Sequence, residues 1–131
     1  MSGYEILELG GADAWLERGK QFADKQMDTQ FIGLSVNALA PGGESPFWHT
    51  HSVLEEVYVF LEGKGRMALD DEVIEVGPGT TVRVGQGVWR ILQAAPDSPG
   101  ELRWICVRAG GAELAAIGVD SEKDGERARP W

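Results

Sequence analysis

Apolar residues in this chain recur in short runs with a period of two, separated by glycine, proline and paired acids. Residues 31–39 put Ile32, Leu34, Val36 and Ala38 on one face of a strand, and Pro41-Gly42-Gly43 ends it. Residues 56–61 put Glu56, Tyr58 and Phe60 on one face and Val57, Val59 and Leu61 on the other, so this strand reads as buried on both sides. Short strands are predicted at 66–69 and 72–76, joined as a hairpin at Asp70-Asp71, and then at 80–84, 88–93 and 102–107. Ahead of them, residues 4–9 alternate weakly, as an edge strand would. Residues 13–27 space Trp15, Leu16, Phe22, Ala23 and Met27 near the helical period, with Asp13 as N-cap and Gly19 as an interruption. Beyond Gly110-Gly111 the pattern fades. Residues 112–117 read as a helical turn, and 120–129, charged with almost nothing to bury, as a solvated tail.

Composition narrows the class. The chain has 131 residues, 43% of them hydrophobic, which is the size of one domain able to bury a core without staples. Its 18 glycines and six prolines separate short apolar runs, and this favours an all-β sandwich or barrel over a helical bundle. A net charge of −9 argues against nucleic acid or an anionic membrane surface as a partner. Cys106 is the only cysteine, so no internal disulfide forms and the chain reads as cytoplasmic. The first residues carry acids where a signal peptide would carry bases, and no apolar run reaches membrane-spanning length.

The chemistry concentrates in residues 43–63. Both histidines lie there two positions apart, so His49 and His51 share one face of a strand, and Glu55 and Glu56 follow closely enough to add a carboxylate. Two imidazoles and a carboxylate form a set that suits a divalent metal and leaves positions open. The competing reading is a pair of histidines that simply line a pocket. Phe47, Trp48 and Trp89 flank the histidines and Arg90 in sequence, which suggests an aromatic pocket wall, while Tyr58 and Phe60 are candidates for its floor. No Ser-His-Asp or Cys-His arrangement is available, and the glycine pairs sit at turns.

The same stretch resembles the first motif of the cupins. Gly43, five residues, His49-x-His51, four residues, Glu56, six residues and Gly63 match that motif in full, and the match selects Glu56 over Glu55. The second motif is matched in part. Gly79, five residues, Gly85-Gln86-Gly87, two residues and Arg90 keep its spacing, with Gly85 in place of proline, Arg90 in place of the fourth metal ligand and Ala94 in place of asparagine.

The resemblance implies an all-β, cupin-type double-stranded β-helix, a jelly-roll barrel, with a short N-terminal helical segment. Its core would span about residues 31–108, with an extension at 1–30 and a tail at 109–131. It further implies a divalent metal (Fe, Mn, Ni or Zn) on His49, His51 and Glu56, and a small-molecule ligand in the barrel near Arg90, Tyr58, Phe60 and Trp48. The implied activity is a metal-dependent dioxygenase or isomerase. The rival is a ligand-binding or sensory module without turnover. Arg90, always protonated and a donor only, has three options. It pairs with Glu56, offers its fork to a ligand carboxylate, or turns outward to a surface acid. The apolar stripe of Trp15, Phe22 and Met27 and the 31–39 strand both need cover, which makes a homodimer the expected assembly, and the resemblance implies the same because cupin relatives commonly pair by this face.

Overall fold

The computed structural model describes residues 3–131. Among the described residues, ten strands form two five-stranded antiparallel sheets that face each other. The strands are β1 (Gln21–Phe22), β2 (Gly33–Leu39), β3 (Trp48–His51), β4 (Glu55–Glu62), β5 (Gly65–Leu69), β6 (Glu72–Val76), β7 (Thr81–Val84), β8 (Arg90–Ala94), β9 (Leu102–Ala109) and β10 (Ser121–Asp124). One sheet has the order β1-β2-β9-β4-β7 and the other β10-β3-β8-β5-β6. Consecutive strands β3 and β4 therefore lie in opposite sheets. That crossing brings the histidines and Glu56 face to face.

Alternation explains which side chains fill the interior. Glu56, Tyr58 and Phe60 of β4 point inward, as do Leu102, Trp104 and Cys106 of β9, while Val57, Val59, Ile105 and Val107 lie half-buried on the outer face. The strand expected to be buried on both faces is thus sealed on one only. Tyr58, Phe60, Met67, Leu92, Leu102 and Trp104 belong to one continuous core, with the Phe60 and Trp104 rings 5.9 Å apart. Removing this apolar area from water stabilises the sandwich by about 25 cal/mol per Å².

On β2 the interior is polar. Ser35 and Asn37 face inward and bond to each other, 3.1 Å apart, and the Val36 face is covered by the N-terminal segment. This segment is not the single helix expected over residues 13–27. Gly19 takes φ +75° and divides it, leaving a 3-10 turn, two one-turn helices, α1 (Trp15–Arg18) and α2 (Ala23–Gln26), and the short β1. Trp15 and Ala23 are buried in this layer. Residues 4–9 form no strand.

The C-terminal segment also differs from the solvated tail expected. Residues 121–124 form β10 and pair with β3 from His51 to Trp48. Their charges are accommodated because the strand sits at a sheet edge and the residues after it find partners. Arg129 donates to Glu44 (2.9 Å) and to the Pro46 carbonyl (2.8 Å), and the Trp131 indole donates to Glu44 (2.9 Å). Trp131 also packs on the outer cluster of Trp48, Ala68 and Ile91, with Arg66 5.6 Å from its ring centre. A short third helix, α3 (Leu114–Ile117), precedes this segment.

The motif glycine Gly63 has a steric role. It takes φ +78°, and a Cβ there would fall 2.3 Å from the Glu101 carbonyl oxygen. Gly63→Ala is expected to destabilise the fold by at least about 1–3 kcal/mol, read as a lower urea midpoint with unchanged slope. An unchanged midpoint would show that the turn relaxes freely.

Candidate metal centre and its cavity

His49 and His51 project inward from β3, and Glu56 meets them from β4 in the other sheet. The Nε2 atom of His49 lies 3.4 Å from Glu56 Oε1, and that of His51 lies 3.4 Å from Glu56 Oε2. One ligand atom from each residue falls within a group spanning no more than 4.8 Å. Adjacent ligands on one ion, each about 2.0–2.2 Å from it, stand roughly 3–3.5 Å apart, so the three residues fit a divalent cation.

The ring orientations support that fit. His51 Nδ1 lies 2.8 Å from Asp120 Oδ1, and Asp120 Oδ2 accepts the backbone N–H groups of Val53 (2.7 Å) and Leu54 (2.8 Å). With its proton on Nδ1, His51 leaves the Nε2 lone pair directed at the site. Burial alone would raise the Asp120 pKa, but the hydrogen bonds from Leu54, His51 and Val53 outweigh it and hold the carboxylate below its ordinary range. For His49, burial and the charge of Arg90 outweigh the pull of Glu56 and lower the pKa, which favours the neutral, ligating form.

Arg90 lies directly opposite His49 on β8 and is 1% exposed. Its Nη2 donates to Glu56 Oε1 at 2.5 Å and its Nη1 to the Val88 carbonyl at 2.8 Å, while Nε is 3.5 Å from the Tyr58 hydroxyl. Of the three options open at the sequence level, the pairing with Glu56 is the one taken. Tyr58 also donates to Glu56 Oε1, at 2.8 Å. Oε1 thus accepts from both Arg90 and Tyr58, while Oε2 faces His51. Burial acts to raise the Glu56 pKa, but the close contacts with the two histidines and the Arg90 charge reverse the shift and keep it ionised. Glu55 points away and pairs with Arg83 at 3.3 Å.

The cluster opens onto a cavity of about 570 Å³, within the range of small-molecule sites. His49, His51, Glu56 and Tyr58 form part of its wall. Phe60 and Trp48, both expected near the ligand, are placed elsewhere. Phe60 is fully buried in the core beyond the cavity floor, and Trp48, adjacent to His49, faces the outside of its sheet by alternation, under Arg127. Arg90 stands behind Glu56, out of reach of the cavity. The Tyr58 hydroxyl and Cys106 thiol, both in the wall, are pushed up by burial and stay protonated near neutral pH.

Sequence reasoning missed Asp120. It stands 69 positions from His51 in a charged stretch with no period to mark it, and only the docking of β10 against β3 brings it to the site.

The profile of the cupin domain matches residues 36–108. The chain belongs to the cupin family. Over 49 residues this cupin is 43% identical to an uncharacterized protein of Methanocaldococcus jannaschii, a match that spans 37% of this chain and 39% of that protein. The crystal structure of a cupin protein from Bacteroides fragilis superposes with a TM-score of 0.75 at 26% identity, over 85% of this chain and 87% of the other. A putative sugar phosphate isomerase from Acidithiobacillus ferrooxidans shares the fold, with a TM-score of 0.59 at 20% identity over 69% of this cupin and 57% of that chain.

Asp120→Asn is expected to weaken binding of zinc or manganese by about 10–100-fold while the metal-free protein stays folded. Unchanged affinity in a metal titration would remove Asp120 from the site. The lowered His49 pKa also sets a pH dependence. The unfolded chain takes up a proton near the ordinary histidine value of 6.5 and the folded site resists it, so stability present above that pH is lost as pH falls below it. Urea midpoints of the metal-free protein should hold level above about pH 7 and fall below about pH 6.5, and a rise on acidification would contradict the assignment.

Proposed function

We propose that this cupin binds a small organic acid in its cavity beside a divalent cation (Fe, Mn, Ni or Zn) held by His49, His51 and Glu56, and acts as a metal-dependent dioxygenase or isomerase. The observation that carries the proposal is the convergence of three ligand atoms on the wall of a cavity large enough for a substrate. A cation bound there supplies Lewis acidity toward a ligand oxygen. The protein residues hold the two imidazoles and one ionised carboxylate in place, and the apolar floor of Leu92 and Trp104 limits water on one side.

A second reading, a ligand-binding or sensory module without turnover, is favoured by a specific feature. Tyr58 and Cys106 are kept protonated by burial and Arg90 is committed to Glu56, so the centre has few groups ready to move a proton.

A homodimer belongs to the proposal. Across the outer face of the first sheet Val57 pairs with Val107 and Val59 with Ile105, all half-buried, with Ile32 and Leu61 exposed at its margins. Such a stripe suits a second copy. A reducing, cytoplasmic location fits the single buried thiol of Cys106. None of the described helices is long and apolar enough to cross a membrane.

Protein dialysed against manganese, iron(II), nickel or zinc is expected to retain about one ion per chain, and a His49→Ala, His51→Ala variant almost none. Equal content in the two would reject the metal site. Small organic acids offered to the loaded protein with oxygen present then separate the readings, since product formation establishes the enzyme and binding without product establishes the module. In sedimentation at micromolar concentration the account predicts a dimeric mass, against which a monomer would count.

A further inference from the structure

The mouth of the cavity is basic in an otherwise acidic protein. Around the single ring of Phe22, Lys20 Nζ lies 4.8 Å and Lys25 Nζ 4.2 Å from the centroid, and the Arg108 guanidinium carbon lies 5.3 Å from it. From the opposite sheet Lys123 Nζ lies 5.0 Å from the Phe47 centroid. All six residues line the cavity that holds the metal cluster.

Of the four cations, Arg108 has a carboxylate partner, Asp24 at 2.7 Å. Among the described residues no carboxylate lies within 4.0 Å of the other three ammonium groups. A chain with 21 acids and 12 bases could readily pair three lysines. Instead they gather, mutually repelling, around one cavity, and a cleft in which one sign of charge predominates focuses its field on ligands of the other. Lys20 shows the cost. Desolvation lowers its pKa from the ordinary lysine value, and Arg108 and Lys123 push the same way against the attraction of Glu56. An anion among these side chains would relieve that repulsion.

Arg90, the cation that the sequence offered for a ligand's acid group, is occupied by Glu56, Tyr58 and Val88. The lysines at the mouth stand free for that task. Resting on the metal-site reading above, we infer that the ligand is a two-headed anion. One end carries oxygens for the cation at His49, His51 and Glu56, and the other a carboxylate or phosphate bound by Lys20, Lys25 and Lys123. Phe22 and Phe47 flank the passage and hold the ammonium groups over their faces.

The test uses calorimetric titration of manganese-loaded protein with matched acids: L-malate against 2-hydroxybutanoate, which lacks the distal carboxylate, and 3-phosphoglycerate against glycerate. The two-headed member of at least one pair should bind at least about tenfold tighter, and the advantage should shrink to within about threefold in a Lys20→Gln, Lys25→Gln, Lys123→Gln variant that retains its manganese. Equal affinity within both pairs, or an advantage that survives the three substitutions, would overturn the inference. Inorganic phosphate titrated into metal-free protein reads the lysines without the cation. Binding by the native protein that the variant loses supports the basic mouth even if the metal site fails, and absence of phosphate binding by the native protein overturns it.

Discussion

The ion pair of Arg90 and Glu56, buried between the two sheets, is the constraint on which the site depends. Burying either charge alone is costly, and removing one partner of such a pair generally costs about 3–5 kcal/mol. Here the pair is satisfied on all sides. Glu56 Oε1 accepts from Arg90 and Tyr58, and Arg90 also reaches the Val88 carbonyl. The carboxylate is held in one orientation, with Oε2 turned toward His51. The same contact fixes β4 against β8 across the sandwich, so the centre and the packing of the sheets are set together.

A guanidinium so close to a cation site has an electrostatic consequence. With a cation bound as proposed, Glu56 would supply one negative charge against two positive centres, a deficit that an anionic ligand would meet. The lysines at the mouth add to that demand. A chain of net charge −9 thus lines its cavity with four basic side chains, and on the proposal above its outer acidity serves solubility without deciding what enters.

Much of this was legible in the sequence because period-two alternation and glycine spacing are local signals. They located the barrel strands to within two residues and put His49, His51 and Glu56 on converging faces. The same rule places Trp48 outside, since it neighbours His49, and proximity in sequence was a poor guide to the cavity there. What stayed hidden depends on distant pairing. Asp120 reaches His51, and Lys123 the cavity, because β10 docks on β3, and Lys20 and Lys25 reach the cavity because β1 docks on β2. Neither two- to four-residue strand has enough apolar pattern to announce itself. The helix read over residues 13–27 failed for a local reason, the left-handed backbone at Gly19.

The central claim is that Arg90 replaces a fourth ligand, leaving a cation held by His49, His51 and Glu56. X-ray absorption of the zinc-loaded protein counts imidazoles directly through their outer-shell scattering. The account predicts the signature of His49 and His51 in the native protein and one further imidazole in an Arg90→His variant. Zinc bound without imidazole scattering, or an unchanged count in the variant, would contradict it.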